Sequence, residues 1–383
     1  MDWGFEASTR RRTCMLMVTH ACNLNCSYCY ESYKRNVFMD TNLAKEIILR
    51  EAQFVSESAD FDELEINFMG GEPFMNFPLI KNVVEWLETG VISVPWICFA
   101  TTNGTLLTDE IKNWLREHKD SINLGASYDG TGQMQSTNRG TDKYKLDLEF
   151  FRELWPHQSL HMTISKETLP TLAEGVLDIQ RRGYGVEAAL AEGVDWTIDD
   201  ALLYREQLLI LKDAYLKNPA ITPFNRLSRY VSVFNLPPDE RTQEKWCGTG
   251  KHIATYDIDG KKYGCHMFSP LVLGNKAVLS DAFEWDSPES TTDDYCKSCV
   301  LRNFCPTCPG FNYKYRGHIA VRDKCWCSMV LAEAITACEF QVELIAAIDK
   351  LDLQDAQHGQ MALNAYKVLR HMDITTSRSP YTI

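Results

Sequence analysis

Three cysteines fall within eight residues, as Cys22-Asn-Leu-Asn-Cys26-Ser-Tyr-Cys29, a C-x3-C-x2-C spacing. Thiolates this close on one loop can hold three irons of a [4Fe–4S] cube and leave the fourth iron open to a small ligand. Zinc would normally recruit a fourth protein ligand, and zinc motifs seldom use a three-residue gap followed by a two-residue gap. Eight further cysteines lie between Cys247 and Cys327. Cys247, twelve residues, Gly260, four residues and Cys265 form one unit; Cys296-x2-Cys299-x5-Cys305-x2-Cys308 forms another, and Cys325-Trp-Cys327 follows. The five-residue gap is too short to separate two zinc knuckles, which need roughly 12–20 residues, so two more iron–sulfur clusters fit better. Cys14, Cys98 and Cys338 stand apart in strand and helix patterns and read as buried thiols packed as small hydrophobes.

These residues must be held by a framework. The chain has 383 residues, 45% hydrophobic and 24% charged, which excludes a disordered or fibrous protein and suggests two domains. A net charge of −13 argues against a broad nucleic-acid surface, and no apolar run reaches the ~18–20 residues of a membrane span. The apolar stretch after Arg10-Arg11-Arg12, Cys14 to Val18, is shorter than the roughly 7–15 residues of a signal-peptide core. A soluble cytoplasmic protein is expected, its clustered thiols serving as metal ligands rather than disulfides.

Strand patterns cover Leu16–His20, Leu64–Met69, Trp96–Thr101, Ile122–Ser127, Leu160–Ser165 and Val186–Glu192. Helical patterns follow each in turn, at Asn42–Ser58 with Pro78–Glu88 after the second strand, then Asp109–His118, Lys143–Leu154, Pro170–Arg182 and Ile198–Leu216. Six βα units imply a parallel sheet curled into a partial (βα)6 TIM-type barrel, with chemistry in the loops at the C-terminal strand ends. Prolines 219, 223, 237 and 238 break the pattern. The expected division is a barrel over 1–217, a bridge over 218–245, a cysteine-rich domain over 246–327 too poor in core to stand without metal, and C-terminal helices and tail over 328–383. The acidic run Asp286–Asp294 reads as a solvated loop.

The first cysteine trio resembles the cluster loop of the radical S-adenosylmethionine (radical SAM) enzymes, and further motifs sit where such a barrel places them. Met69-Gly70-Gly71-Glu72-Pro73 ends the second strand and resembles the family's GGEP element, whose backbone binds the methionine amino group. Glycines there allow the main chain to approach a ligand closely. Thr101-Thr102-Asn103-Gly104-Thr105 ends the third strand, as in many members, and Ser127-Tyr128-Asp129-Gly130 ends the fourth. The latter is similar to the S-x-D-G element that contacts the methionine carboxylate and ribose. Singly these motifs are turns and caps; their occurrence at successive strand ends carries the reading. The resemblance implies S-adenosylmethionine beside a [4Fe–4S] radical cluster on Cys22, Cys26 and Cys29. It assigns Tyr28 to the adenine, Arg139 to the carboxylate, and Gly70, Gly71, Glu72, Asn103, Ser127 and Asp129 to further cofactor contacts. The chemistry implied is reductive cleavage of the sulfonium to a 5′-deoxyadenosyl radical, which takes hydrogen from an unactivated carbon while the protein excludes water.

The second cysteine region resembles the SPASM extension of these enzymes, so the two resemblances cover 15–217 and 246–327. Two departures stand out: a two-residue gap before Cys308 where the family has three, and two terminal cysteines where it has one. By analogy one auxiliary cluster uses Cys247, Cys265 and Cys308, and the other Cys296, Cys299 and Cys305 with Cys325 or Cys327, both of [4Fe–4S] type. Cys327 is preferred for the second, and the first either recruits the remaining cysteine or keeps an open site. SPASM-bearing members mostly modify peptides, so the resemblance implies oxidative C–C, C–S or C–O crosslinking of a ribosomally made precursor peptide under anaerobic conditions. Implied partners are that peptide, a flavodoxin or ferredoxin donor and, with only thirteen residues before Cys14, a separate leader-recognition protein as one option. The competing readings are an anaerobic sulfatase maturase forming formylglycine and a SPASM-type small-molecule dehydrogenase. The sulfatase maturases carry Asp after the cysteine matching Cys265; here His266 stands there, a candidate general base if its pKa is near neutral. A non-catalytic electron carrier would need neither the GGEP-like nor the S-x-D-like element.

Overall fold

The structure is a computed structural model that describes residues 10–140, 146–229, 231, 234, 247–285, 293–305, 307–348, 350 and 352–375. Its first half alternates β1 (Arg11–Thr19), α1 (Thr41–Glu57), β2 (Glu63–Gly70), α2 (Phe77–Leu87), β3 (Trp96–Thr102), α3 (Asp109–Glu117) and β4 (Ile122–Ala126). Then come α4 (Gly132–Arg139), α5 (Leu148–Leu154), β5 (Leu160–Ile164), α6 (Leu172–Arg181), β6 (Val186–Leu190) and α7 (Ile198–Lys217). All six expected strands form. In β2 Leu64, Ile66 and Phe68 alternate into the core against Ile47 and Ile48 of α1 and Ile80, Val83 and Val84 of α2. Each such side chain contributes about 1.5–3 kcal/mol by leaving water.

β1 begins at Arg11, five residues before the apolar run suggests. Its charged start is satisfied in place: Arg11 Nε donates to Glu63 of β2 at 2.8 Å, and buried Arg12 pairs with Glu51 of α1 at 2.7 Å. Two further differences have local causes. Helix α4 was not anticipated because Met134 is its one large apolar residue; Thr131 caps it by accepting from the Met134 N–H. Helix α5 starts at Leu148 behind an Asp147 cap rather than at Lys143, which lies outside the described residues.

Parallel pairing joins β4, β3, β2 and β1, and the single bridge Ser127↔His161 continues the curl to the parallel pair β5–β6. On the other side of β1 lies β7 (Ile253–Tyr256), parallel to it from Thr13↔Ile253 to Leu16↔Tyr256, with β8 (Lys262–Tyr263) antiparallel beyond. The cysteine-rich stretch therefore supplies strands to the barrel's own sheet. Tyr256 Oη donates to Glu51 at 2.5 Å and His20, fully buried, lies 2.6 Å from Asp257, so the added strand is tied down by polar contacts as well as by register.

The rest of this stretch holds the short helix α8 (Pro270–Leu273), helix α9 (Pro309–Arg316) and isolated turns around a small separate core of Tyr263, Met267, Phe268, Val272, Trp285 and Ile319. Helix α10 (Trp326–Ala346), buried nearly all round, packs along α7, and α11 (Leu353–Leu369) covers α10. The C-terminal helices thus return to the barrel, as their spacing suggests. Pro237, Pro238, Trp246 and most of the acidic run at 286–294 fall outside the described residues. Among the described residues no helix is long and apolar enough to cross a membrane.

Candidate active site

The loop carrying Cys22, Cys26 and Cys29 leaves β1 where the β1–β2 register shifts, between Met17 and Thr19. It is anchored from every neighbouring strand end. The Ser27 N–H donates to the Asn138 carbonyl at 2.8 Å, and Asn103 Nδ2 donates to Asn23 Oδ1 at 3.0 Å. Gly70 and Gly71 meet it from β2: a Cβ on Gly70 would stand 2.3 Å from the Thr19 oxygen, and one on Gly71 2.4 Å from the Ala21 oxygen. These glycines let two protein segments touch, a different reason from the close approach to a ligand that the motif suggests. With φ of +155° Gly70 also takes a backbone conformation that side chains disfavour.

Glu72 is buried, and its carboxylate accepts from the Thr102 hydroxyl at 2.7 Å and from the Asn103 N–H at 2.8 Å. Burial raises its pKa against those donors. Its side chain therefore locks the β2 and β3 ends together rather than facing the cleft freely. Asp129, fully buried after β4, accepts from the Thr163 N–H at 2.9 Å and Tyr28 Oη at 2.8 Å, and Arg139 lies beside it at 3.0–3.1 Å. The Arg139 guanidinium lies 5.7 Å from the Tyr28 ring centre.

One cleft of about 770 Å³ joins these pieces. It is lined by all three cysteines of the loop, Tyr28, Gly70, Gly71, Glu72, Asn103, Ser127 and Arg139, with Asp129 directly behind. Residues that no motif marked complete it: Glu31 and Lys34 after the loop, His161 on β5, Glu187 on β6, and Arg226 and Arg229 beyond α7. Burial pushes Glu31 up to about 8. Alternation along Leu160–Ile164 was the one available signal for His161, since it and Thr163 occupy the half-exposed face of β5.

The auxiliary cysteines separate into two groups. Cys265 is influenced by Cys308 and Cys247, whose Sγ lies 2.9 Å from Thr249 Oγ1. Cys327 is pushed up to about 12 by burial and then by Cys305, Cys296 and Cys299. Cys325 Sγ instead lies 2.9 Å from Asp195 Oδ1. Near the second group, and among the described residues, the Nε–H groups of Arg302 and Arg322 are buried without a partner, and both cations bear on Cys296. This donor set fits an anionic cluster. Among the described residues no three Cys, His, Asp or Glu side chains converge as they would on one ion; a cube taking one thiolate per iron spreads its ligands over its corners.

His266 is absent from the cleft lining. Its Nε2 is 3.1 Å from Tyr30 Oη, its Nδ1 is buried without a partner among the described residues, and burial lowers its pKa to about 4. The near-neutral base expected there is thus a neutral imidazole behind Tyr30, because burial penalises the cation. Cys14, Cys98 and Cys338 are fully buried in the core, as expected.

A profile of the radical SAM superfamily matches residues 16–128. An uncharacterized protein of Methanocaldococcus jannaschii is 35% identical over 117 residues, 30% of this chain and 38% of that protein, so the chain spans well under half of its length. The radical SAM cyclopropyl synthase TigE of Paramaledivibacter caminithermalis is 23% identical over 354 residues, 85% of this chain and 73% of TigE. Among solved structures, native anSMEcpe with bound AdoMet aligns at a TM-score of 0.65 and 15% identity, over 88% of this chain and all of that one. Streptococcus suis SuiB bound to its precursor peptide SuiA aligns at 0.55 and 16%, over 82% of this chain and 75% of that one. These two likenesses establish the fold.

Proposed function

We propose that this protein, which carries a radical SAM domain and is an enzyme of the SPASM-type architecture, is a cytoplasmic peptide maturase. In this reading it oxidatively crosslinks a residue of a ribosomally made precursor peptide. The observation that carries the reading is the single cleft in which Cys22, Cys26 and Cys29 face Gly70, Gly71, Ser127 and Arg139. The peptide substrate is supported by TigE's relationship and by the fold shared with SuiB, which binds a precursor peptide.

Cys22, Cys26 and Cys29 would hold the radical cluster, and S-adenosylmethionine would lie across Gly70–Glu72, Ser127 and Arg139, with Tyr28 against its adenine. When bound, the two groups together supply a 5′-deoxyadenosyl radical that takes a hydrogen atom from substrate. Arg139 offers its cation to the cofactor carboxylate while Asp129 fixes its direction. Glu72 and Asn103 hold the strand ends that define the cleft. The wall of His161, Glu187, Arg226 and Arg229 lies on the side left for substrate. The division proposed is a barrel for cofactor over 1–217, a bridge over 218–245, two auxiliary clusters over 246–327, and C-terminal helices beyond; a flavodoxin or ferredoxin would supply electrons. His266 is retained as a second-step proton acceptor only if Tyr30 relays to it.

Anaerobic protein reconstituted with iron and sulfide, given reductant and S-adenosylmethionine, should release 5′-deoxyadenosine. Co-expression with candidate precursor peptides drawn from its gene neighbourhood should remove two hydrogens from the true substrate, read by mass spectrometry. Release of no 5′-deoxyadenosine, or an unmodified peptide beside a converted sulfatase serine or cysteine, overturns it.

A further inference from the structure

The two groups of auxiliary thiols sit in opposite electrostatic settings. Arg322 is buried, and its Nη1 donates to the carbonyls of Arg302 and Cys305 at 3.2 and 3.4 Å, which places the guanidinium against the segment that carries Cys299 and Cys305. Its charge bears on both Cys296 and Cys305. Arg302 stands near enough for the two cations to repel each other, and it is also drawn towards Cys296. Arg229 adds a third cation through the Phe304 carbonyl. Among the described residues the Nε–H groups of Arg302 and Arg322 are both buried without an acceptor. An unmatched buried charge-bearing donor is costly, and two like charges forced together more so, unless an anion comes between them.

Asp293 bears on Cys296 and Asp323 on Cys327, but both carboxylates are engaged away from the Arg302 and Arg322 Nε–H groups. Asp293 accepts from the Tyr295 and Arg322 backbone N–H groups at 2.9 and 2.8 Å, and Asp323 pairs with Arg316 at 3.0 Å. Around Cys247, Cys265 and Cys308 the setting is different. The donors are the Thr249 hydroxyl and the backbone N–H groups of Met267, Gly310 and Phe311, and the charged side chain bearing most on Cys308 is the carboxylate of Glu192.

We propose that the two auxiliary clusters differ in reduction potential, and that the one on Cys296, Cys299, Cys305 and Cys327 is the more easily reduced because Arg302 and Arg322 face it. It is then the electron sink of the pair, taking the one electron that the substrate radical of the proposed reaction gives up when it is oxidised to the product. Each [4Fe–4S] centre takes up one electron and no atoms, passing from the 2+ to the 1+ core, so its thiolate-ligated anion gains one negative charge. Cations and N–H donors beside the cluster favour that reduced form, whereas a carboxylate such as Glu192 opposes it. This inference rests on the proposed function for the presence of two auxiliary clusters.

The test is an EPR-monitored potentiometric titration of the anaerobically reconstituted full chain. Cys299→Ala should delete the less negative auxiliary midpoint, and Cys265→Ala the more negative one. Arg322→Gln should move the less negative midpoint to a more negative potential at unchanged iron content, and Arg322→Lys should recover most of the shift. Should Arg322→Gln fail to hold iron, Arg302→Gln is expected to give a smaller shift in the same direction. Assignment of the less negative midpoint to the Cys265 group overturns the inference, as does an unmoved midpoint in iron-replete variants. Iron content that accounts for the radical cluster alone would instead overturn the two-cluster reading beneath it.

Discussion

Between β1 and α7 the chain builds order from apolar contact: Leu16, Leu64, Ile66, Phe68, Ile80 and Leu124 have no exposed surface and belong to one continuous core. From Cys247 to Cys327 the chain joins that core through Tyr256, Val300, Leu301 and Phe304 and otherwise forms a small separate core around Phe268 and Trp285, and among the described residues the Nε–H groups of Arg302 and Arg322 are buried with no acceptor. The first region is complete as a folded protein, and a cofactor site is laid over it. In the proposed reading the second leaves part of its cohesion to its iron–sulfur clusters. The comparison teaches that the cleft can be damaged chemically without unfolding the barrel, whereas loss of iron should be felt structurally in the cysteine-rich stretch.

The largest effect is expected from Cys26→Ala. Cofactor cleavage should fall on the order of a thousandfold or more, while circular dichroism and melting stay near those of the parent, since Cys26 lies on a loop outside the barrel core. A matching loss of helix content would break the comparison. Removing iron by anaerobic chelation should expose 247–327 to protease while 10–217 resists, a difference of several kcal/mol in local opening, roughly the scale on which small metal-dependent domains depend on their metal.

The barrel meets the C-terminal helices where Glu333 of α10 receives Tyr204 at 2.9 Å and lies against Arg226 and Arg229. Glu333→Ala strands two buried cations and should cost about 3–5 kcal/mol in chemical denaturation. Burial alone would raise this carboxyl's pKa, but the two guanidiniums overcome it and hold it below its ordinary value. The stability from this pair is therefore present above about pH 4.5 and is lost as pH falls through the lower folded value. Melting that is flat through that acid window in the parent, or equally steep in Glu333→Ala, would contradict it. The smallest effect belongs to Thr197→Ala, which removes the capping box of α7 and should cost about 1 kcal/mol without altering cofactor affinity.

Much of this was legible beforehand because it is local. A strand written as Leu64 to Met69 with alternating apolar residues needs no partner to be recognised, and C-x3-C-x2-C states its chemistry within eight residues. What escaped depends on distant chain. No local pattern says that Ile253–Tyr256 would pair with Thr13–Leu16, or that the α4 segment, with a single large apolar residue, would coil. The near-neutral pKa expected of His266 failed for the same reason: burial, set by residues far along the chain, decides it.

The amino-acid sequence by itself determined the repeating strand–helix order, the cysteine trio and the motifs at strand ends, since each is a matter of residue type and short spacing. Only the tertiary structure decided which polar groups face the cleft, and that the Arg302 and Arg322 cations gather beside Cys296. Those outcomes depend on distances between segments that turns and strand pairing bring together, and electrostatic and hydrogen-bond energies follow distance in space, which spacing along the chain does not encode.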